Sequence, residues 1–338
     1  MNMKTIAVCA SALILGLCGC DSGSNGGAAS GLATGPRTLD GALISVGLEQ
    51  APANKIVGEK KASVVAGMKD ELPDDMKAII TKAGLDDAEI AWGALTLVDM
   101  EFDETGNPKG VPELIVTLAF DHDFDKFVAA VKEADAEAGK NLVKDTTVLG
   151  EKAFSVSEDD LTVVVTSLSG KLLVCATSEA TAEKAVSLYR DGKGGSALAM
   201  DANTIFKAVV SSVGERIVKK LPVELYKDGL GPDEDATALF QGLKDVDATI
   251  AATADDGIGL TLKVGTASAD DAAKVAALAN EGLAGLKAMM TMMAAQDPEA
   301  KPAVDALNSV SVTADGAAIN GNATVTGENF KKLLEKEL

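Results

Sequence analysis

Aromatic residues make up only 3% of this 338-residue chain. Its core must therefore be assembled from alanine, valine, leucine and isoleucine, and it is poor in the stacking surfaces that sugar-binding subsites use. Histidine occurs once, at His122. With no second histidine or cysteine at ligand spacing, His122 makes a poor zinc ligand, and a serine or cysteine nucleophile has no other imidazole to activate it. The chain also lacks a G-x-S-x-G elbow, an H-E-x-x-H pair, a Walker A loop and a dinucleotide fingerprint. Its nearest glycine and lysine runs, Gly170-Lys171 and Gly192-Lys193, read as a turn and a linker. Basic residues are outnumbered, 31 against 51 acids, for a net charge of −20. No basic stripe is present, so nucleic acid is not an expected partner. These absences point away from an enzyme, and no cofactor is expected.

What is present begins at the N-terminus. Met1–Lys4 supplies one positive charge, and Thr5–Gly19 is an uncharged, mostly apolar run of signal-peptide length. That run falls short of the roughly 20 apolar residues a membrane-spanning helix needs. It ends Leu17-Cys18-Gly19-Cys20, which resembles the bacterial lipobox, with an aliphatic residue three before the cysteine and a small one directly before it. The competing reading, Leu15-Gly16-Leu17-Cys18, places bulky Leu17 where a small residue is wanted. The resemblance implies cleavage between Gly19 and Cys20, a diacylglycerol thioether on Cys20 and a further acyl chain on its amine. Two or three chains, at about 0.8 kcal/mol per buried methylene, form an anchor that does not readily dissociate.

The next residues, Asp21–Arg37, are dominated by glycine, serine and alanine and read as a flexible tether. Cys9 and Cys18 leave with the signal and Cys20 is acylated, so Cys175 remains and no intramolecular disulfide is expected. The expected location is the bacterial cell envelope, with the chain lipid-anchored to a membrane on its periplasmic or outer surface.

Over the whole chain, 47% hydrophobic and 24% charged residues describe a globular protein. A self-comparison divides it in two. Asp40 precedes Ile56-Val57 by the spacing at which Asp201 precedes Ile217-Val218, and both segments have a helical pattern with the aspartate suited to an N-cap. Gly84-Leu85-Asp86-Asp87 precedes an alternating strand over 89–102, as Gly242-Leu243-Lys244-Asp245 precedes one over 248–254. Each is followed by a second strand, 113–120 or 258–264, and then by a helix holding Phe127-Val128-Ala129-Ala130-Val131 or Lys274-Val275-Ala276-Ala277-Leu278. Both halves close with more strand and a short helix, the second with one strand fewer.

The expected organisation is thus a signal over 1–19, the lipidated cysteine and tether over 20–38, one α+β repeat over 39–191, a linker over 192–198 and a second repeat over 199–338. Each repeat is read as an antiparallel sheet with helices on one face.

Three clusters invite a site. Asp121, Asp123 and Asp125 alternate around His122, but Lys126 and Lys132 stand where an EF-hand needs glycine and glutamate, and the matching stretch Ser268–Asp271 favours helix capping. Asp99, Glu101 and Asp103 at the end of a strand offer hard oxygens for calcium, or a charged edge that deters stray pairing. Met289, Met290, Met292 and Met293 share a helix, where an adaptable core or apolar contact surface fits better than copper. Two functions remain. One is a non-catalytic envelope lipoprotein serving as an interaction or scaffolding module for another envelope protein. The other is a carrier for an apolar ligand or lipid. A calcium-binding module ranks below both.

Overall fold

A computed structural model of the protein describes residues 34–57, 72–86, 88–226, 236–296 and 300–337. The signal, Cys20 and most of the tether lie outside the described residues. The chain folds as α+β and forms two units. One holds the described residues up to Met100 together with Gly110–Ala199, and the other holds Glu101–Lys109 together with the residues from Met200 onward.

The first unit contains β1 (Arg37–Leu39), β2 (Ile44–Glu49), α1 (Gln50–Val57), α2 (Asp74–Ala83), β3 (Trp92–Phe102) and β4 (Pro108–Ala119) except for their hairpin ends within Glu101–Lys109, α3 (Phe124–Glu137), β5 (Val143–Val148), β6 (Glu151–Glu158), β7 (Leu161–Leu168), β8 (Leu172–Ala176), α4 (Glu179–Arg190) and β9 (Gly195–Ala197). Its main sheet runs β2-β3-β4-β8-β7-β6-β5, and the registered pairs within it are antiparallel. The hairpin turns use left-handed backbone, which matches strand twist. Leu149 and Gly150 join β5 to β6 with φ of 49° and 87°, and Ser169 and Gly170 carry φ of 55° and 65° between β7 and β8.

Helices lie on both faces of this sheet, which corrects the expected single-face packing. Ile115, Val164, Val174 and Ala153 belong to one core with Ala182, Val186 and Tyr189 of α4. Val116, Val165, Leu173 and Phe154, their neighbours on alternate positions, belong to another with Ile80 of α2 and Phe127 of α3. Alternate residues of a strand point to opposite faces, so runs such as Leu172–Ala176 are apolar throughout because both sides are buried.

Two further local readings change. Asp40 sits in a turn and the residues after it form β2, paired from Ile44↔Leu97 to Glu49↔Trp92. Asp201 likewise holds a turn, its carboxylate accepting from the Asn203 amide at 2.9 Å and the Thr204 hydroxyl at 3.0 Å ahead of a strand. Cross-strand pairing of β-branched residues there outweighs the local helical pattern. The stretch read as a linker carries β9, antiparallel to β1. Gly195 permits that approach, since a Cβ on it would lie 2.0 Å from the Thr38 carbonyl oxygen.

The second unit contains β10 (Thr204–Val210), α5 (Val213–Arg216), 3-10 turns at Val218–Lys220 and Val223–Leu225, α6 (Thr237–Gln241), β11 (Val246–Ala252), β12 (Ile258–Gly265), α7 (Ala269–Gln296), α8 (Lys301–Ser309), β13 (Ser311–Asp315), β14 (Ala318–Val325) and α9 (Gly327–Glu337). Its strands run β10-β11-β12-β14-β13, all antiparallel. Between the second-strand helix and the last helix this unit has two strands where the first has four, a difference of two rather than the expected one.

The register sorts its side chains cleanly. Ile258, Leu260, Leu262 and Val264 face the same way as Ile319, Ala323 and Val325, while Thr261 and Lys263 share the other face with Asn320, Asn322 and Thr324. One face is apolar and the other is polar. The N-terminal part of α7 covers the apolar face at Val264, Ile319 and Val312 through Ala272, Val275 and Ala276.

Candidate functional site

The acidic candidates other than Glu101 are held by local partners. Asp121 pairs with the Lys171 ammonium. Asp123 is the N-cap of α3 and accepts from the Lys126 amide at 3.1 Å. Asp125 receives Lys152 Nζ at 3.1 Å on both oxygens. In the second unit Ser268 does what Asp123 does, accepting from the Asp271 amide at 3.1 Å while its hydroxyl donates to the Asp271 carboxylate at 2.7 Å. The capping oxygen meets an unsatisfied N–H of the first helical turn in both cases.

Asp99 accepts from the Met100 amide at 2.9 Å, and Glu101 is exposed on the same strand. Asp103 builds the hairpin loop: one carboxylate oxygen accepts from the Thr105 hydroxyl at 2.6 Å, the Thr105 amide at 2.8 Å and the Asn107 amide at 3.0 Å. The Thr105 hydroxyl first, and then the two amides, hold this carboxyl below the usual range. Among the described residues no group of three or more His, Cys, Asp and Glu side chains gathers as a metal site.

His122 is a structural clasp. Its Nδ1 lies 3.0 Å from the Phe120 carbonyl, which can only accept, so Nδ1 carries the proton. Nε2 then accepts from the Ser167 hydroxyl at 2.8 Å. Burial pushes the imidazole pKa down, against the opposing pull of the Phe120 carbonyl and of Asp121 and Asp123.

The methionines are where the structure departs most from a filled core. Met289, Met292 and Met293 are 48%, 64% and 51% exposed, and only Met290 is half-buried. They belong to a wider pattern. Of the ten large apolar side chains exposed among the described residues, nine lie in the second unit, and the tenth, Leu149, is the hairpin-turn residue of the first. Leu260 and Leu262, 41% and 37% exposed, open the apolar face on the middle strand of the second unit. Val223 and Leu225 lie in a 3-10 turn, and the other five, Leu278, Leu286, Met289, Met292 and Met293, lie on α7.

At about 100° per residue, Leu278, Gly282, Gly285, Leu286, Met289, Met292 and Met293 fall within an arc of about 120°. Buried Ala272 and Ala276 lie beyond one side of that arc, and half-buried Val275, which packs on the sheet with them, falls within it near that side. Asn280 Nδ2 donates to the Val312 carbonyl at 2.9 Å and Lys287 Nζ to the Val310 carbonyl at 2.9 Å, tying α7 along β13. The exposed stripe is thereby held on a fixed helix.

Sequence reasoning singled out the methionines but missed Leu278, Leu286, Leu260 and Leu262. A signal was available for the helix: Gly282–Gln296 holds no acid and a single lysine in a chain of net charge −20. Among the described residues no helix is long and apolar enough to cross a membrane. No protein-family model, curated protein or solved structure matches the chain.

Proposed function

We propose that the protein is a membrane-anchored, non-catalytic envelope lipoprotein of a bacterium, carrying two duplicated α+β domains and acting as an interaction or scaffolding module. The observation that carries the interaction role is the apolar stripe of α7, since soluble surfaces seldom display a contiguous row of large apolar side chains without a use for it. The first unit, with cores on both sides of its sheet, offers no comparable surface among its described residues.

Duplication is supported by strand order. The succession β2-β3-β4-β8-β7 has the connectivity of β10-β11-β12-β14-β13, with a capped helix after the third strand and another after the last. The lipid anchor rests on the lipobox resemblance at Gly19 and Cys20 and places the chain on a membrane of the envelope. Mass spectrometry of the mature N-terminus tests it: a diacylated or triacylated Cys20 is expected, and an unmodified residue other than Cys20 there ends the anchor reading. The interaction role is tested separately by Met292→Glu, which is expected to abolish in-membrane cross-linking at the stripe while leaving the thermal unfolding midpoint unchanged. Cross-linking unaffected by that charge would remove the stripe from the account.

A second reading, a carrier for an apolar ligand or lipid, is favoured by one observation, the exposure of Leu260 and Leu262 on the apolar sheet face. Extraction of the purified protein for bound lipid decides it.

A further inference from the structure

We infer that the partner of the α7 stripe is a second copy of the same chain, the two α7 helices crossing antiparallel about a two-fold axis between Gly282 and Gly285. This rests on the interaction reading above and names its partner.

The first argument is the spacing. Leu278, Gly282, Gly285, Met289 and Met292 follow one another at intervals of four, three, four and three, the repeat that keeps one seam of a helix facing another helix. That seam reads the same in both directions around the two glycines. In an antiparallel pair, Gly282 of one copy meets Gly285 of the other and Leu278 meets Met289, while Met292 lies opposite Val275, which already packs on its own sheet. An isologous contact demands this self-complementarity.

The second argument is the glycines themselves. Glycine inside a helix is costly, because the unfolded chain loses more freedom there than with any other residue. Close approach within the fold is one reason to retain it, and it applies to Gly195, where a Cβ would strike backbone. It does not apply here: at both Gly282 and Gly285 nothing lies within 4 Å of where a Cβ would stand. The space is left open at the centre of an apolar stripe, flanked by larger side chains. Two helices meeting at that point can bring their backbones together, with leucine and methionine closing over the crossing on each side.

The third argument is charge. A chain of net charge −20 resists meeting its own copy almost anywhere. Between Ala272 and Gln296, however, α7 carries two lysines and one glutamate, so two copies can meet along it without massing acids. Its size makes the contact a weak one. Leu278 to Met293 spans about 23 Å of a helix about 10 Å across, on the order of 230 Å² per copy before its flanks are counted. A standard interface buries about 800 Å² per partner. Anchoring both copies to one membrane raises their effective concentration without adding any contact.

The test uses the full-length protein in its own membranes. Leu278→Cys and Met289→Cys are introduced singly and together, the membranes are oxidised, and dimer is read on non-reducing gels against the unsubstituted chain. The double variant is expected to cross-link at least tenfold more than either single variant, because like positions in an antiparallel pair lie about 16 Å apart along the helix. Adding Gly282→Leu, whose side chain has open space in its own chain, is expected to abolish the dimer while leaving the thermal midpoint within about 2 °C.

Equal cross-linking by Leu278→Cys alone, or dimer that persists with Gly282→Leu, overturns the two-fold crossing. If the double variant instead links to a different protein, the self-association is wrong and the interaction reading stands. If it links to nothing, the self-association is wrong, and the interaction reading is decided by the Met292→Glu comparison, since a disulfide forms only with a partner that has a cysteine at the contact.

Discussion

Tyr189→Phe removes one oxygen from the largest fully buried side chain in the first unit. The ring stacks on Trp92 with centroids 5.6 Å apart, and the hydroxyl accepts from the Thr117 hydroxyl at 3.2 Å and the Arg37 amide at 3.3 Å. Tyr189 and Thr117 are both almost wholly buried, so no water replaces the lost acceptor. Phenylalanine keeps the ring and its packing, which makes the expected loss that of stranded donors, about 1–3 kcal/mol. Thr117→Val alone removes a donor and should cost about 0.5–1.5 kcal/mol. In the double variant both ends of the bond are apolar, so the total should fall short of the sum of the single losses by about 1–2 kcal/mol. Trp92 is the only tryptophan, and its emission during urea unfolding reports this unit directly. The midpoint should fall with the slope unchanged. Losses that add to within about 0.5 kcal/mol would refute the reasoning, because they would mean that the two hydroxyls do not depend on each other.

Other consequences are as specific. His122 is bound in its neutral form with a lowered pKa, so the stability it contributes is present above its unfolded value of about 6.5 and is lost as pH falls through its folded value. Thermal midpoints at pH 7.5 and 5.5 should therefore differ more for the natural chain than for His122→Gln, and equal differences would remove His122 as the cause. Leu149 adopts φ of 49° at the β5–β6 turn while exposed. Leu149→Asn should recover part of the roughly 1–2 kcal/mol that a left-handed residue costs, read as a raised urea midpoint.

How much of this was legible varied with the kind of information. The α+β class, the β3–β4 and β11–β12 hairpins and the helices after them follow from alternation, turn residues and caps, all of which are local. Matching apolar runs between the halves paired Phe127 with Lys274. The observed caps pair Asp123 with Ser268, and so Phe127 with buried Ala272. Runs of valine and alanine recur and can slip by two residues, whereas an N-cap cannot. β5 was missed because Val143 and Val148 are the only apolar residues in it, as its place at the end of the sheet requires. The second layer of helices on the first unit was written in the unbroken apolar character of Leu161–Leu168 and Leu172–Ala176, which a sheet with one wet face does not need. The exposure of the methionines was legible only as the want of charge over Gly282–Gln296, since spacing places them on a helix but says nothing of what covers it.

The two units also explain where unspent apolar surface is found. In the first, the positions facing α4 are Ile115, Val164, Val174 and Ala176, and that helix buries them. In the second, the matching face carries Thr261, Lys263, Asn320 and Asn322, which suit water, and the last helix packs instead against α8. That change removes one layer. It does not account for α7. A helix needed only to cover β13 and β14 could end its apolar pattern on the side of Ala272 and Ala276 and be charged elsewhere. Instead a second apolar arc, centred on two helix-weakening glycines, runs for about four turns with its large side chains only about half covered. A surface that costs helix stability and solubility while leaving about half of each large side chain uncovered is what a contact outside the chain would use.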